Sequence, residues 1–251
     1  MSTAEFPRVD RTIVADDGDR FTFCSTCAFS HACLSQGMDK SQLQDLHMLV
    51  EHVGPIHAGD HVFREGDPFE AIAAVRAGTV KTYSIDRDGR EHVLGFHLPG
   101  EVIGLNAIAG ERFPCNAVAL DTVTLCRFSF PKISVLATRL PRLQQTLFQL
   151  LSRDIGTASL LAGDWSADER MAAFLVRFSR RLAARGFSAE RFQLTMSRTD
   201  IANYLRLAPE TVSRVLKRFN DDGLIRVERR EIELADRKGL EEIAGAILQQ
   251  A

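Results

Sequence analysis

Short apolar runs cut at regular intervals by glycine characterise the chain from about residue 52 to about residue 130. The clearest runs cover residues 72–75, 80–85 and 92–96. Turns are expected between them, because glycines such as Gly78 and Gly100 separate the runs and Asp86-Arg-Asp-Gly89 is typical of a hairpin. Many short strands about ten residues apart predict a sandwich, a barrel or a roll.

The hydrophobic period becomes helical after Pro131. Leucines recur there at spacings of three and four residues and continue to Leu160 and Leu161, which predicts one long helix over residues 132–163. Such a helix must bury its apolar stripe, either against its own domain or against its twin in a parallel dimer. The stripe residues that would form the dimer contact are Leu140, Leu143, Leu147, Leu150 and Leu151.

The pattern of the last third predicts a helix-turn-helix. Ser166 and Glu169 have the spacing of a capping box and begin a helix that continues to about residue 182. Two shorter helices follow, over residues 197–205 and 209–219, with a tight turn between them. Alternation over residues 225–234 then predicts a two-stranded wing.

The second of these short helices carries side chains that suit a DNA major groove. Glu210, Ser213 and Arg214 share the face opposite the apolar positions. Arginine donates two bonds to guanine, glutamate accepts from cytosine, and serine is small enough to approach a base edge. Contacts to the DNA backbone are expected from Arg198, Thr199, Lys217 and Arg218. The alternative is that Glu210 and Arg214 form an ordinary surface ion pair between residues four apart.

Composition and charge predict a cytoplasmic globular protein with one basic region. The 251 residues are 45% hydrophobic and 25% charged, which is typical of soluble globular proteins. We expect neither a membrane span nor a signal peptide, because no apolar run approaches about 20 residues and the N-terminus lacks a basic region before an apolar one. The net charge is −2, but residues 164–238 hold 16 Lys/Arg against 12 Asp/Glu, which favours an anionic partner there.

Three cysteines lie close together near the start of the chain. Cys24, Cys27 and Cys33 have the spacing C-x2-C-x5-C. Thiols stay reduced in the cytoplasm, so the spacing favours metal ligands or redox groups over structural disulfides. A [4Fe–4S] cluster or a zinc ion would take four thiolates, and the fourth would come from Cys115 or Cys126. The spacing alone leaves the cluster, zinc and a redox dithiol open.

Three segments together resemble the Crp/Fnr superfamily of dimeric transcription regulators, and within it the oxygen-sensing FNR group. The segment 195–214 resembles that group's helix-turn-helix, 95–104 resembles its β-roll, and 182–188 resembles the stretch leading into its DNA-binding domain. The resemblance implies an α+β fold: a cysteine-rich leader (1–35), a cyclic-nucleotide-binding-like β-roll (36–131), a dimerisation helix (132–163) and a C-terminal winged helix-turn-helix domain (164–251).

The resemblance also implies a function and a cofactor. It implies a [4Fe–4S] cluster held by Cys24, Cys27, Cys33 and Cys126, while Cys115 becomes a spare buried thiol and His31 faces solvent. Oxygen sensing through this cluster would control dimerisation and binding to TTGAT-like palindromic double-stranded DNA in the anaerobic response, with RNA polymerase as a further partner. The alternative is a regulator of the same fold without a cluster, having a zinc or thiol-redox site or binding DNA constitutively.

At two sites the chain lacks residues that other members of the family carry. In the cyclic-nucleotide-binding branch, a carboxylate and an Arg-Ser pair hold the nucleotide, but the matching positions here are Leu105 and Pro114-Cys115, so we expect no cyclic nucleotide. FNR proteins place an acidic residue in the dimer helix, and the matching position here is Ala158, with Asp154 a turn earlier. We therefore expect dimerisation that depends less on the cluster.

An enzyme that uses the cysteines catalytically is the main rival from another class. The sequence contains no recognisable nucleophile–base pair, phosphate loop or cofactor fingerprint. We therefore predict that the protein is not an enzyme.

Overall fold

The computed structural model describes Cys24 and residues 27–249, and the chain forms two compact units. The first comprises the described residues up to Ser84 together with Gly95–Leu151. The second comprises Ile85–Leu94 and the described residues from Ser152 onward. Most of the predicted leader lies outside the described residues.

The first unit contains a β-roll of two four-stranded sheets with antiparallel pairing, as the sequence predicts. The three apolar runs become strands β3, β4 and β5. One sheet has the order β1-β8-β3-β6 and the other β2-β7-β4-β5. The strands are β1 Val50–Ile56, β2 His61–Phe63, β3 Ala71–Ala77, β4 Val80–Ile85, β5 Glu91–His97, β6 Val102–Ile103, β7 Asn116–Ala119 and β8 Val123–Ser129.

The sheet that contains β8 is covered on both faces, and alternation along its strands separates two cores. Leu125 on β8 and Val75 on β3 belong to the core inside the roll. Phe128 and Ile72 point the other way, into a second core that we call the helix-side core. It is completed by helix α1 (Lys40–His47) and by the helices that follow β8. The period of two in a strand therefore decides which core each residue joins.

The leucine stripe after Pro131 forms two helices, so the prediction of one helix over 132–163 is wrong. Helix α2 spans Phe130–Arg139 and helix α3 spans Pro141–Ala162. Leu140 between them is extended, with φ −118° and ψ 91°. Pro141 explains the break, because the residue before a proline is displaced from helical conformation while proline itself suits a first helical turn.

The second unit is a winged helix-turn-helix. Helix α4 (Ala167–Ala183) begins with the predicted capping box, in which the Ser166 and Glu169 side chains each accept a hydrogen bond from the other residue's backbone N–H. Helices α5 (Arg198–Leu205) and α6 (Pro209–Asp221) form the predicted pair. The remaining elements are β9 (Arg191–Gln193), β10 (Ile225–Glu228), β11 (Glu231–Leu234), α7 (Arg237–Ile243) and α8 (Gly245–Gln249).

The wing is larger than the sequence predicts. Strands β10 and β11 form the expected hairpin, but β9 pairs with the outer side of β11 and makes a three-stranded sheet. Strand β9 has three residues, which are too few to show a period.

In the same unit, the Asn203 amide of α5 accepts from the Val93 N–H and donates to the Glu91 carbonyl, at 2.7 and 2.6 Å. These bonds join the Ile85–Leu94 hairpin to the helical part of this unit.

No helix among the described residues is both long and apolar enough to cross a membrane.

Candidate functional site

The chain between Cys27 and Cys33 packs closely against the β-roll at Gly100. A Cβ atom at Gly100 would lie 3.3 Å from Cβ of Phe29 and 3.4 Å from Cβ of Ala32, which is closer than side chains normally approach. The φ of Gly100 is +86°, a conformation that favours glycine. The cysteine segment therefore lies directly on this turn because the turn has no side chain.

Burial raises the pKa of three thiols of the first unit. It raises the pKa of Cys24 to about 11, and Cys27 contributes to the increase. It raises the pKa of Cys33 to about 11, with smaller contributions from Cys24 and Cys27, and that of Cys126 to about 12, with smaller contributions from Cys33, Cys24 and Cys27. Cys33 and Cys126 pack against the same apolar core. All four cysteines are free and partly buried.

The fifth thiol lies elsewhere, and strand alternation is the reason. Cys126 follows Leu125 on β8 and so faces the helix-side core, which also contains Cys33. Cys115 is 1% exposed inside the roll, where the Asn106 amide donates to its sulfur at 3.3 Å. Burial raises the pKa of Cys115 as well, but the neighbours that act on it are Asn106 and Glu65 rather than a cysteine.

Two residues that the sequence did not single out interact with Cys126. His52 on β1 is its cross-strand partner, with Nδ1 3.7 Å from the sulfur. The charge of Arg76 at the end of β3 partly offsets the increase that burial causes in the pKa of Cys126 and of Cys24. His31, by contrast, is exposed as expected. Neither His52 nor Arg76 belongs to a sequence motif, so the sequence alone could not assign them to the site.

The donor set suits a polynuclear cluster in its chemistry, since four thiolates are the usual ligands of [4Fe–4S]. Among the described residues, no three His, Cys, Asp or Glu side chains are arranged to hold a single metal ion. Cys24, Cys27, Cys33 and Cys126 are the residues that would hold a [4Fe–4S] cluster if one were bound.

The face of α6 that the sequence predicts to read DNA is exposed. Val212, Val215, Leu216 and Phe219 are buried, whereas Glu210, Ser213 and Arg214 are exposed. The Arg214 guanidinium donates to Thr211 Oγ1 at 3.2 Å, and the Ser213 hydroxyl donates to the Pro209 carbonyl at 3.1 Å. Within the described chain, Glu210 and Arg214 do not form the alternative ion pair, so both remain accessible.

The candidate backbone contacts differ in their present partners. Lys217 pairs with Asp221 at 2.6 Å, and Arg218 pairs with Asp168 on α4. Both pairs are exposed and therefore of low energy, so phosphates can replace the carboxylates. Arg198 and Thr199 begin α5, where the helix N-terminus adds partial positive charge.

The five leucines predicted to form the dimer contact also pack against the helix-side core of their own unit. Leu143 is 0% exposed, and Leu140, Leu147, Leu150 and Leu151 are partly buried there. Among the described side chains of α3, Phe148 is 61% exposed and Ile155 is 69% exposed, seven residues apart on one face. Asp154 is exposed beside them, and the side chain of Ala158 lies outside the described residues.

Comparison with known proteins now identifies the family. Residues 55–138 match the family model of the cyclic nucleotide-binding domain, and residues 169–243 match that of the Crp-like helix-turn-helix domain. The transcriptional activator protein anr of Pseudomonas aeruginosa is 42% identical over 229 residues, covering 90% of this chain and 94% of the relative. The chain belongs to the Crp/Fnr family of transcription regulators.

Other Crp/Fnr proteins agree in sequence and in fold. The fumarate and nitrate reduction regulatory protein of Escherichia coli is 37% identical over 225 residues, which is 88% of this chain and 90% of the relative. FixK2 from Bradyrhizobium japonicum superimposes with a TM-score of 0.70 at 29% identity, covering 77% of this chain and 96% of FixK2. The predicted fold class is confirmed, and Crp/Fnr membership assigns the chain DNA binding and dimerisation.

The positions that bear on a cyclic nucleotide are occupied by apolar or buried groups. Leu105 belongs to the helix-side core and Cys115 to the core inside the roll, while Pro114 is exposed. None of the three supplies a charge or a strong hydrogen-bond donor for a cyclic phosphate. The absence of a cyclic nucleotide stays a prediction.

Proposed function

We propose that this protein is a transcription activator of the anaerobic response that senses oxygen through a [4Fe–4S] cluster bound by Cys24, Cys27, Cys33 and Cys126. The observation that carries the proposal is that Cys126 packs against the same apolar core as Cys33, whereas Cys115 belongs to the core inside the roll. The relatives named as a transcriptional activator and as a fumarate and nitrate reduction regulator support the anaerobic role.

The thiols must lose their protons before they can bind a metal. With pKa values near 11 to 12, Cys24, Cys33 and Cys126 hold their protons at neutral pH when no metal is bound. Metal binding therefore releases protons and supplies the positive charge that stabilises buried thiolates. When bound, the cluster supplies a reactivity toward oxygen that these protonated thiols lack.

A continuous core links the cysteines to the helices that follow the roll. Cys33 and Cys126 belong to the same apolar cluster as Leu147, Leu150 and Leu151 of α3. Joining the cysteine segment to β8 therefore also consolidates the packing of α3. We infer that α3 forms the dimer contact through Phe148 and Ile155, its exposed apolar residues.

A two-fold dimer would present two copies of α6 to one face of DNA. We infer base readout by Glu210, Ser213 and Arg214, backbone contacts by Arg198, Thr199, Lys217 and Arg218, and a TTGAT-like palindrome as the target. Half-sites about 34 Å apart, one turn of the double helix, would match such a dimer. RNA polymerase is the further partner expected at activated promoters.

The decisive experiment compares one preparation before and after exposure to air. The protein is reconstituted anaerobically with iron and sulfide, its iron and sulfide are assayed, and its affinity for a TTGAT-type palindrome is measured. We expect about four iron and four sulfide per chain, a visible absorption band that disappears in air, and weaker DNA binding afterwards. Unchanged affinity would refute the switch, and a colourless protein with stoichiometric zinc would favour the cluster-free alternative.

A further inference from the structure

The contact between His52 and Cys126 points to a role for the histidine in the proposed site. Nδ1 of His52 lies 3.7 Å from the Cys126 sulfur, within the range of hydrogen bonds that involve sulfur. The inference rests on the proposed function, since it concerns Cys126 as an iron ligand.

The register of the sheet enforces this contact. His52 on β1 and Cys126 on β8 are directly paired, and two residues along the same strands Val50 pairs with Phe128 on the same face. Directly paired side chains have Cβ atoms about 4.5–5.5 Å apart, so the register keeps His52 next to Cys126. On the other flank Cys126 pairs with Ala74, whose methyl group offers no hydrogen bond.

Whether the contact with Cys126 is favourable depends on where the His52 ring carries its proton. A neutral imidazole carries one proton, on either nitrogen. A thiolate that binds iron has no proton to share, so the contact is favourable only when that proton is on Nδ1.

We propose that His52 is a positioning residue that donates a hydrogen bond from Nδ1 to the Cys126 sulfur in the iron-loaded protein. This bond stabilises the thiolate, slows its release from iron, and disperses negative charge from the sulfur. Hydrogen bonds to ligand sulfurs are among the factors that set the reduction potential of iron–sulfur clusters, and dispersing the charge makes reduction easier. His52 thus tunes both the lifetime and the potential of the site.

Three variants of the full-length protein separate the effect of losing the hydrogen-bond donor from the effect of changing the volume of the side chain. His52→Phe keeps a ring and removes the donor. His52→Asn keeps a donor, because the amide nitrogen of asparagine lies near the position of Nδ1. His57→Phe makes the same change at an exposed histidine just beyond β1 and is the matched control.

The measurements are cluster loss and reduction potential after anaerobic reconstitution. Loss of visible absorbance is followed in anaerobic buffer containing EDTA, and the midpoint potential is determined by reductive titration. His52→Phe should lose its cluster roughly tenfold faster than wild type and have a more negative potential. His52→Asn and His57→Phe should resemble wild type in both measurements.

The outcomes separate this inference from the proposed function. If wild type holds no cluster, the proposed function fails. If wild type holds one and His52→Phe shows the same lifetime and potential, the donor role is refuted. The role is also refuted if His52→Asn behaves like His52→Phe, because bulk would then explain the loss. If thermal unfolding shows that the cluster-free His52→Phe does not fold, His52→Val, which suits a strand and also lacks a donor, replaces it.

Discussion

The proposed DNA-reading helix and the proposed cysteine site differ in how the chain assembles them. In α6, Glu210, Ser213 and Arg214 lie within five residues on the exposed face of one helix. In the proposed cysteine site, Cys33 and Cys126 are about ninety residues apart in the sequence, and packing brings both to the same core. A local site can be read from helical spacing, whereas a dispersed site depends on the complete fold of its unit.

The two regions also differ in how ready their groups are to bind. Glu210, Ser213 and Arg214 of α6 are exposed, and the hydrogen bonds of Ser213 and Arg214 are ones that a DNA ligand could replace. The thiols of Cys33 and Cys126 are buried enough to remain protonated at neutral pH, so they would lose their protons on binding a metal. The α6 groups are therefore accessible as they stand, whereas the thiols would need the proposed cofactor to act as ligands.

The largest expected effect concerns which cysteine, Cys126 or Cys115, is the fourth ligand of the proposed cluster. Cys126→Ala should abolish cluster assembly, measured as iron, sulfide and visible absorbance after anaerobic reconstitution. Cys115→Ala removes a thiol that faces the opposite core, so it should retain the cluster and lose only some stability. A colourless Cys115→Ala protein together with a coloured Cys126→Ala protein would reverse the assignment.

Substitutions at an exposed and at a buried apolar residue of α3 should affect dimerisation and folding stability separately. Phe148→Glu places a charge on the exposed face and should raise the dimer dissociation constant roughly tenfold or more without unfolding the chain. Leu143→Ala removes a fully buried side chain and should instead cost about 2–5 kcal/mol of stability. Sedimentation and chemical denaturation measure the two effects. A fully dimeric Phe148→Glu protein would exclude this face as the contact.

Base contacts and phosphate contacts in the local site should respond differently to salt. Arg214→Ala should weaken binding to the TTGAT-type palindrome by about 1–3 kcal/mol and relax preference at one base pair. Lys217→Ala should weaken binding to all sequences and reduce the salt slope of log affinity by about 1. Fluorescence anisotropy at several salt concentrations, with specific and scrambled DNA, measures both. Equal losses on both DNAs for Arg214→Ala would refute base readout.

The turn at Gly100 should matter more for the cysteine segment than for the fold. Gly100→Ala combines a positive φ with close contact to Phe29 and Ala32, so it should lower cluster content beyond its cost in stability. Gly89→Ala is the matched control, because it has φ +78° but no neighbouring atom within 4 Å. Each should lose about 1–2 kcal/mol from backbone strain. Equal cluster content in the two variants would contradict the packing role of Gly100.

The smallest effect concerns alkaline pH. The pKa of the Cys24 and Cys33 thiols is about 11 in the folded chain and near 9.0 ordinarily. Their stabilising contribution is therefore complete below pH 9 and is lost as pH rises toward 11. Denaturation of the cluster-free protein should show stability falling over this range, with a shallower fall in Cys33→Ala. An identical pH slope in that variant would argue against a buried, protonated Cys33.

Local pattern was sufficient for most elements of the fold. The strands of the β-roll, the Ser166 capping box, the helix-turn-helix and the wing hairpin follow from period, glycine punctuation and capping. The break at Leu140 was also encoded, since Pro141 disfavours a helical residue before it, but the leucine stripe hid the signal. Strand β9 was not predictable because three residues show no period.

Pairing and packing decided the rest. The sequence alone determined that the chain would contain a cysteine-rich segment, a series of short strands and an exposed helix with groups suited to bases, because each depends on neighbours within a few residues. Only the tertiary structure placed Cys126 in one core with Cys33 and Cys115 in the other, set His52 beside Cys126, and buried Leu143 while exposing Phe148. Those outcomes depend on strand register and on which core each face meets, and both are properties of contacts between residues that are distant in the chain.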